Sequence, residues 1–254
     1  MLPVDAAFVL NLARRVDRWN HVKAQFDAHG IAVRRFPAVD GLCPEFQSRY
    51  WNNPVTKKNL KTPGALACLL SHMAILECAQ INGYRRIAVF EDDVLLHKDF
   101  SRQLARLELL PYWKLVYLGA SQVLWSSVKP SRIEGFYHPS KTCGTWAMLI
   151  DAAAYAPILR QYRYFAASAD LALSALFADD PDVFVAQPNL CVTDVTDSDI
   201  RALFNPQFYD LCRWNMECYT SPRSSTVFGS ATNPCPPSLS RSVAAGKSCT
   251  LDGQ

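Results

Sequence analysis

Short apolar runs alternate with segments of helical spacing along this chain. Ala6 to Leu12 is apolar and reads as a first strand. Trp19, His21, Val22 and Phe26 then recur at helical spacing, and His29-Gly30 supplies a stop. Ile31 to Phe36 alternates and reads as a second strand, closed by the turn signal Pro37-Ala38-Val39-Asp40-Gly41. Strand, helix, strand at this spacing predicts a parallel βαβ unit. Residues 42–62 are polar and aromatic and read as an irregular loop, a flap over a site. Ala65 to Ala79 is apolar nearly all round, which predicts a buried helix ended by Asn82-Gly83. Ile87-Ala88-Val89-Phe90 is a strand with no polar face, and it runs straight into Glu91-Asp92-Asp93.

Beyond the acids, Phe100 to Leu110 has amphipathic helical spacing, and Lys114 to Gly119 and Thr142 to Ile150 read as strands. Asp151 opens a helix through Leu159. Another helix covers Leu171 to Phe177, and Val183 to Ala186 is the last strand expected. The pattern predicts an α/β fold with a mostly parallel, Rossmann-like central sheet flanked by helices. From about Ser221 the composition turns to Ser, Pro, Gly, Thr and Asn, which predicts a loosely ordered tail.

Composition narrows the classes. Half of the 254 residues are hydrophobic and 19% are charged, which suits a sizeable core. A formal net charge of +3 is too small for a nucleic-acid binder and is compatible with an anionic small substrate. No apolar run of about 18 residues stands out as a membrane span, though peripheral membrane contact is compatible with the chain. The start, Met1-Leu2-Pro3-Val4-Asp5, lacks a secretory signal, so a cytoplasmic setting and reduced thiols are expected. The nine cysteines are scattered, with no two-residue spacing of a zinc knuckle or redox pair. Cys68 sits in an apolar segment and reads as a small buried hydrophobe.

The candidate chemistry gathers at strand ends. Three adjacent carboxylates repel one another, and a divalent cation such as Mg²⁺ or Mn²⁺ is a natural counter-charge. A charged surface turn is the plainer reading of the same tripeptide. Arg14, Arg15 and Arg18 follow the first strand, where guanidinium groups suit phosphate and sit badly against a helix dipole. The plainer reading, a solvated helix start, is weakened by that dipole. Asp40 is placed for a ribose hydroxyl, or is only a turn residue. Ser71 and His72 are polar residues in a buried helix, so His72 is either a satisfied core group or part of a site. Asp170 lies in the first turn of its helix, where a cap role competes with a catalytic one.

Four blocks in order resemble glycosyltransferase family 25. They are Asn11-Leu12 with Arg14-Arg15 and Asp17-Arg18; Ala38-Val39-Asp40-Gly41; Gly64 to His72 running into Phe90-Glu91-Asp92-Asp93-Val94; and Gly144 to Ile150 with Asp170 and Ser198-Asp199-Ile200 beyond. The resemblance covers roughly residues 4–201. It implies a GT-A-type domain over residues 1–205, with a nucleotide-sugar-binding N-terminal half and an acceptor-binding C-terminal half. Residues 206–254 are then a C-terminal extension.

It implies an inverting transfer of a sugar, galactose first, from a UDP-sugar to a glycan or glycoconjugate hydroxyl, with Mn²⁺ or Mg²⁺ on Glu91 and Asp93. Asn11, Arg14, Arg15, Arg18, Asp40, Ser71, His72 and Asp92 become the donor-binding candidates. Inversion needs a base on the acceptor side. Asp170 is the candidate, Asp199 its rival and His138 a third choice. One departure stands out: Gly64-Ala65-Leu66-Ala67 lies where the family pattern has Gly-Glu-Ile/Val-Gly. The missing acid motivates one alternative, a degenerate member that binds carbohydrate or protein without catalysis; a metal-dependent phosphoryl-transfer or hydrolytic enzyme using the same acids is a third reading.

Overall fold

A computed structural model describes residues 2–196, 199 and 207–222. The first unit is β1 (Ala6–Asn11), α1 (Val16–Ala28) and β2 (Arg34–Pro37). The second strand starts later than its alternation suggests. The Ile31 N–H bonds Phe26 O at 3.0 Å, and Gly30 takes the left-handed φ of +66°. Ile31 therefore closes the turn that ends α1 instead of opening a strand.

Residues 42–62 are not an irregular loop. They hold α2 (Pro44–Trp51) and α3 (Pro54–Asn59). Each starts with proline at its first position, and Asn53 caps α3 by accepting from the Val55 and Thr56 N–H groups. The helices are too short for periodicity to reveal them, but the caps are in the sequence.

Next comes α4 (Pro63–Ile81), capped by Thr62, whose hydroxyl accepts from Ala65 N. By length and composition alone α4 is the one helix among the described residues that could cross a bilayer. It packs instead against α2, β-sheet residues and the later helices, with Leu69, Ile75 and Leu76 buried.

There follow β3 (Arg86–Glu91), β4 (Val94–Leu96) and α5 (Phe100–Leu104). The helix expected through Leu110 tightens at Ala105–Leu109 into a 3-10 turn. The rest is β5 (Leu115–Ser121), β6 (Lys129–Pro130), β7 (Phe136–His138), β8 (Cys143–Asp151), α6 (Ala152–Tyr162), α7 (Ala169–Leu176), β9 (Val183–Ala186), β10 (Cys191–Thr193) and α8 (Gln207–Leu211).

Eight strands form one sheet in the order β2-β1-β3-β8-β5-β9-β7-β6. All run the same way except β8 and β7, which lie antiparallel to their neighbours. This is a mixed, mostly parallel α/β sheet of Rossmann-like, GT-A type. Its central strands alternate between two cores. Ile87 and Val89 of β3 pack on the α4, α6 and α7 face, and Ala88 and Phe90 on the α1 and α5 face. Burial on both faces explains the unbroken apolar runs.

A separate ribbon pairs β4 with β10, Val94 opposite Thr193. Residues 207–222 also pack on the body. Trp214 stands edge-on to Trp146 at 5.8 Å, and the Tyr219 hydroxyl donates to Asn189 O. The tail expected from about Ser221 lies, from residue 223 onward, outside the described residues.

Candidate functional site

Because β1, β2 and β3 are parallel neighbours, their carboxyl ends meet at one edge. Antiparallel β8 brings its beginning to that same edge. Asn11, the Val39–Gly41 turn, Glu91-Asp92-Asp93 and Thr145 are thereby collected in space. Open α/β sheets bind ligands at this edge. A cavity of about 340 Å³ lies there, lined by Arg14, Arg18, Asp40, Glu91, Asp92, Asp93 and Asp199, and by the α4 residues Gly64, Ala67, Cys68 and Ser71. Leu42, and Gln47 and Trp51 of α2, also line it.

The arginines are not a solvated helix start. Arg14 Nε donates to Asp40 Oδ2 at 2.8 Å, and its Nη2 donates to Asp199 Oδ1 at 2.8 Å. Arg15 reaches Asp199 Oδ2 at 2.8 Å and also pairs with Asp17. Arg18 is 3.2 Å from Asp199 and 2.9 Å from Asp92 Oδ1. Asp199 thus sits among three guanidinium groups. Burial works against the charge of Arg14, but Asp199 and Asp40 outweigh it and hold the guanidinium more firmly protonated.

Asn11 is buried and does not line the cavity. Its amide donates to Asp92 Oδ2 and to Arg15 O, and its oxygen accepts from Arg35 Nε. Asp92 is therefore held at both carboxylate oxygens, by Asn11 and by Arg18. Burial pushes its carboxyl up, while Arg18 and Asn11 pull it back.

Asp40 is both turn residue and cavity wall: Oδ1 accepts from Leu42 N, and Oδ2 takes Arg14. Ser71 fixes that turn from behind, accepting from Val39 N at 2.9 Å while donating to Ala67 O. A Cβ on Gly41 would stand 2.8 Å from Gly64 Cα. Gly41→Ala is accordingly expected to push the turn off α4 at a cost of about 1–3 kcal/mol, read by urea unfolding.

The acids differ in their surroundings. Glu91 Oε1 accepts from Thr145 Oγ1 at 2.6 Å and lies 3.0 Å from His72 Nε2. Asp93 Oδ1 is buried with no hydrogen-bond partner among the described residues. Burial first, and then the charge of Glu91, push the Asp93 carboxyl up to about 8. The backbone around it is fixed, since Asp194 N donates to Asp93 O at 2.7 Å. A buried carboxylate with an unmet oxygen, beside a second carboxylate, fits a divalent cation with oxygen ligands. Asp93 would hold it, with Glu91 beside it.

The later candidates lie apart. Asp170 begins α7 and accepts from Ser168 Oγ; it does not line the cavity, although its charge acts on Cys68, which does. His138 belongs to β7 on the far side of the sheet, with Nδ1 at 3.0 Å from Val183 O. Ala65, at the position of the missing acid, is also outside the cavity lining. Thr145 and Cys68 were not among the sequence candidates. Both lie within blocks that carry the family likeness, and Cys68 stands one helical turn before His72.

Comparison with known proteins gives the family. The profile of glycosyltransferase family 25 (LPS biosynthesis protein) matches residues 4–145, which spans β1 through the start of β8. The chain belongs to glycosyltransferase family 25. It is 35% identical over 151 residues to human inactive glycosyltransferase 25 family member 3, covering 52% of this chain and 24% of that protein. It is 28% identical over 138 residues to a glycosyltransferase 25 family member of Aedes aegypti, 47% of this chain and 22% of that protein. Mouse procollagen galactosyltransferase 2 is 26% identical over 138 residues, 47% of this chain and 21% of that protein. The chain thus aligns with only about a quarter of each relative's length.

Proposed function

We propose that this protein is a metal-dependent inverting glycosyltransferase. It would move a sugar, galactose as first choice, from a UDP-sugar to a hydroxyl of a glycan or glycoconjugate. The observation that carries this reading is the cavity at the carboxyl edge of β1–β3, which is lined by Arg14 and Arg18 and by Asp93, whose buried Oδ1 has no hydrogen-bond partner among the described residues. A nucleoside diphosphate needs both: cations for its phosphates and acids for its metal.

Asp199 pairs with Arg14, Arg15 and Arg18, the guanidinium groups that would serve a diphosphate. Diphosphate and Asp199 compete for the same guanidinium donors, so donor binding frees Asp199 from at least one arginine. Asp40, already lining the cavity, contacts the ribose. Arg18 and Asn11 hold Asp92 in place, which leaves Asp93 and Glu91 to hold a cation. When bound, that cation stabilises the negative charge that develops on the leaving diphosphate. Asp170 takes the proton from the acceptor hydroxyl, on the face opposite the leaving group. Asp170 does not line the cavity, but its charge acts on Cys68, which does.

A panel of nucleotide sugars with Mn²⁺, read as nucleoside diphosphate release and product formation with glycan acceptors, tests this reading. Asp170→Asn is expected to lower product formation by about 10²–10⁴-fold while leaving donor binding unchanged. A second reading is favoured by the word "inactive" in the names of the human, bovine, rat and mouse relatives. A degenerate binding protein would take up nucleotide or glycan in the same panel with no turnover, and Asp170→Asn would change nothing.

A further inference from the structure

One cluster in the cavity wall has a composition that the donor reading does not use. Cys68 and His72 lie four residues apart on α4, and so face the same way one turn above the other. Glu91, at the end of β3, meets them. One ligand atom from each of the three lies within 4.8 Å of the other two. Cys68 and Glu91 line the cavity, whereas His72 is 2% exposed and stands behind them. We propose that Cys68, His72 and Glu91 form a binding site for a thiophilic divalent cation, zinc by preference, with its open coordination position facing the cavity.

The chemistry of the three donors supports that choice of metal. Thiolate and imidazole select zinc over magnesium or manganese, which prefer oxygen. Three protein ligands with an open fourth position are the arrangement of reactive or exchangeable zinc sites. Around a tetrahedral ion at ordinary bond lengths, ligand atoms stand about 3.3–3.7 Å apart. The observed cluster needs only small side-chain movements to reach that. The carboxylate is already oriented, because Thr145 Oγ1 donates to Glu91 at 2.6 Å, the kind of outer support that metal-bound carboxylates have. The surroundings suit a cation too. The negative charges of Asp170 and Asp93 act on the Cys68 position in addition to that of Glu91.

The site is distinct from the oxygen site at Asp93, but it shares Glu91 with it. Zinc bound here draws on the Glu91 carboxylate and the two cations then either compete for it or bridge through it. The proposal does not depend on glycosyl transfer, and it can hold if that reading fails.

Cobalt(II) serves as the spectroscopic stand-in for zinc, added to the full-length protein without nucleotide or sugar. The expected result is a thiolate-to-cobalt charge-transfer band together with intense visible bands of a tetrahedral ion, both bleached by added zinc. Cys68→Ser, nearly the same size, is expected to lose the charge-transfer band. His72→Ala is expected to weaken cobalt binding by at least about tenfold. Asp93→Asn, as the control for the oxygen site, is expected to keep the charge-transfer band.

Two results would overturn the proposal. One is a folded wild-type protein with no charge-transfer band, as expected if His72 serves only to orient Glu91. The other is a band that survives in Cys68→Ser, which would place the metal on other cysteines. Because the wild-type spectrum alone can refute the site, a variant that failed to fold would not protect it.

Discussion

Arg18→Ala is expected to cost about 3–5 kcal/mol of folding stability, far more than an arginine at a helix start ordinarily carries. The reason is the company it keeps. The Arg18 side chain is 5% exposed and that of Asp92 is 8% exposed, with 2.9 Å between them. Removing the guanidinium leaves the Asp92 carboxylate buried, with Asn11 as its remaining side-chain hydrogen bond described. An uncompensated buried charge is the expensive outcome, not the loss of the pair as such. Urea unfolding of Arg18→Ala, Asp92→Asn and the double variant separates the two. The double variant is expected to recover part of the loss, because it no longer buries a charge without a partner. If Arg18→Ala costs less than about 1 kcal/mol, as exposed ion pairs do, the buried pairing is wrong.

Asp93→Asn is expected to have the largest effect on chemistry and to alter the pH dependence of stability. Transfer should fall by at least about 100-fold, since a bound cation supplies several kcal/mol of charge stabilisation. Stability without metal is expected to move the other way. The Asp93 carboxyl titrates near about 8 in the folded protein against an ordinary value of 3.8. Between those values the unfolded chain has released the proton that the folded chain retains. Raising the pH across that window therefore favours the unfolded state, and the Asp93 contribution to stability is lost as pH rises from about 4 to about 8.

Wild-type protein should thus lose ground to Asp93→Asn over this range in chelator. Mn²⁺ requires the ionised carboxylate and should reverse the trend for the wild type alone. Unfolding curves at about pH 5 and about pH 8, with and without Mn²⁺, read both effects. A wild-type-to-variant difference that does not change with pH would contradict the burial of an uncompensated acid.

Much of this arrangement is legible in the sequence because it depends on strand ends. An apolar run with no polar face, as at Ile87 to Phe90, must be covered on both sides, so its acids have to emerge at an edge. Two more runs of parallel type bring Asn11 and Asp40 to that same edge. What is not legible is anything that depends on strand order. Antiparallel β8 inserts between β3 and β5, and only this brings Thr145 against Glu91.

The division of labour among the three acids is likewise a matter of neighbours, not of spacing. Asp92 meets Arg18 and Asn11, whereas Asp93 meets no cation within hydrogen-bond reach among the described residues. Asp199 carries the same lesson. It was a rival base in the sequence, but 185 positions after Arg14 it lies against that arginine, and no periodicity encodes such a pairing. The short helices α2 and α3 escaped for a different reason: eight and six residues hold too few turns to show a face, and only their proline and asparagine starts mark them.

The claim on which the account rests is that the β1–β3 edge binds a nucleoside diphosphate together with a metal. Thermal unfolding of the wild type and of Asp93→Asn, with UDP, with Mn²⁺ and with both, tests it directly. The account predicts that the two ligands together raise the wild-type melting temperature by more than the sum of their separate effects, because each binds the folded state and helps the other. It predicts that Asp93→Asn stays folded and loses that coupling. A wild-type protein whose melting temperature is indifferent to every nucleoside diphosphate in the presence of Mn²⁺ would contradict it.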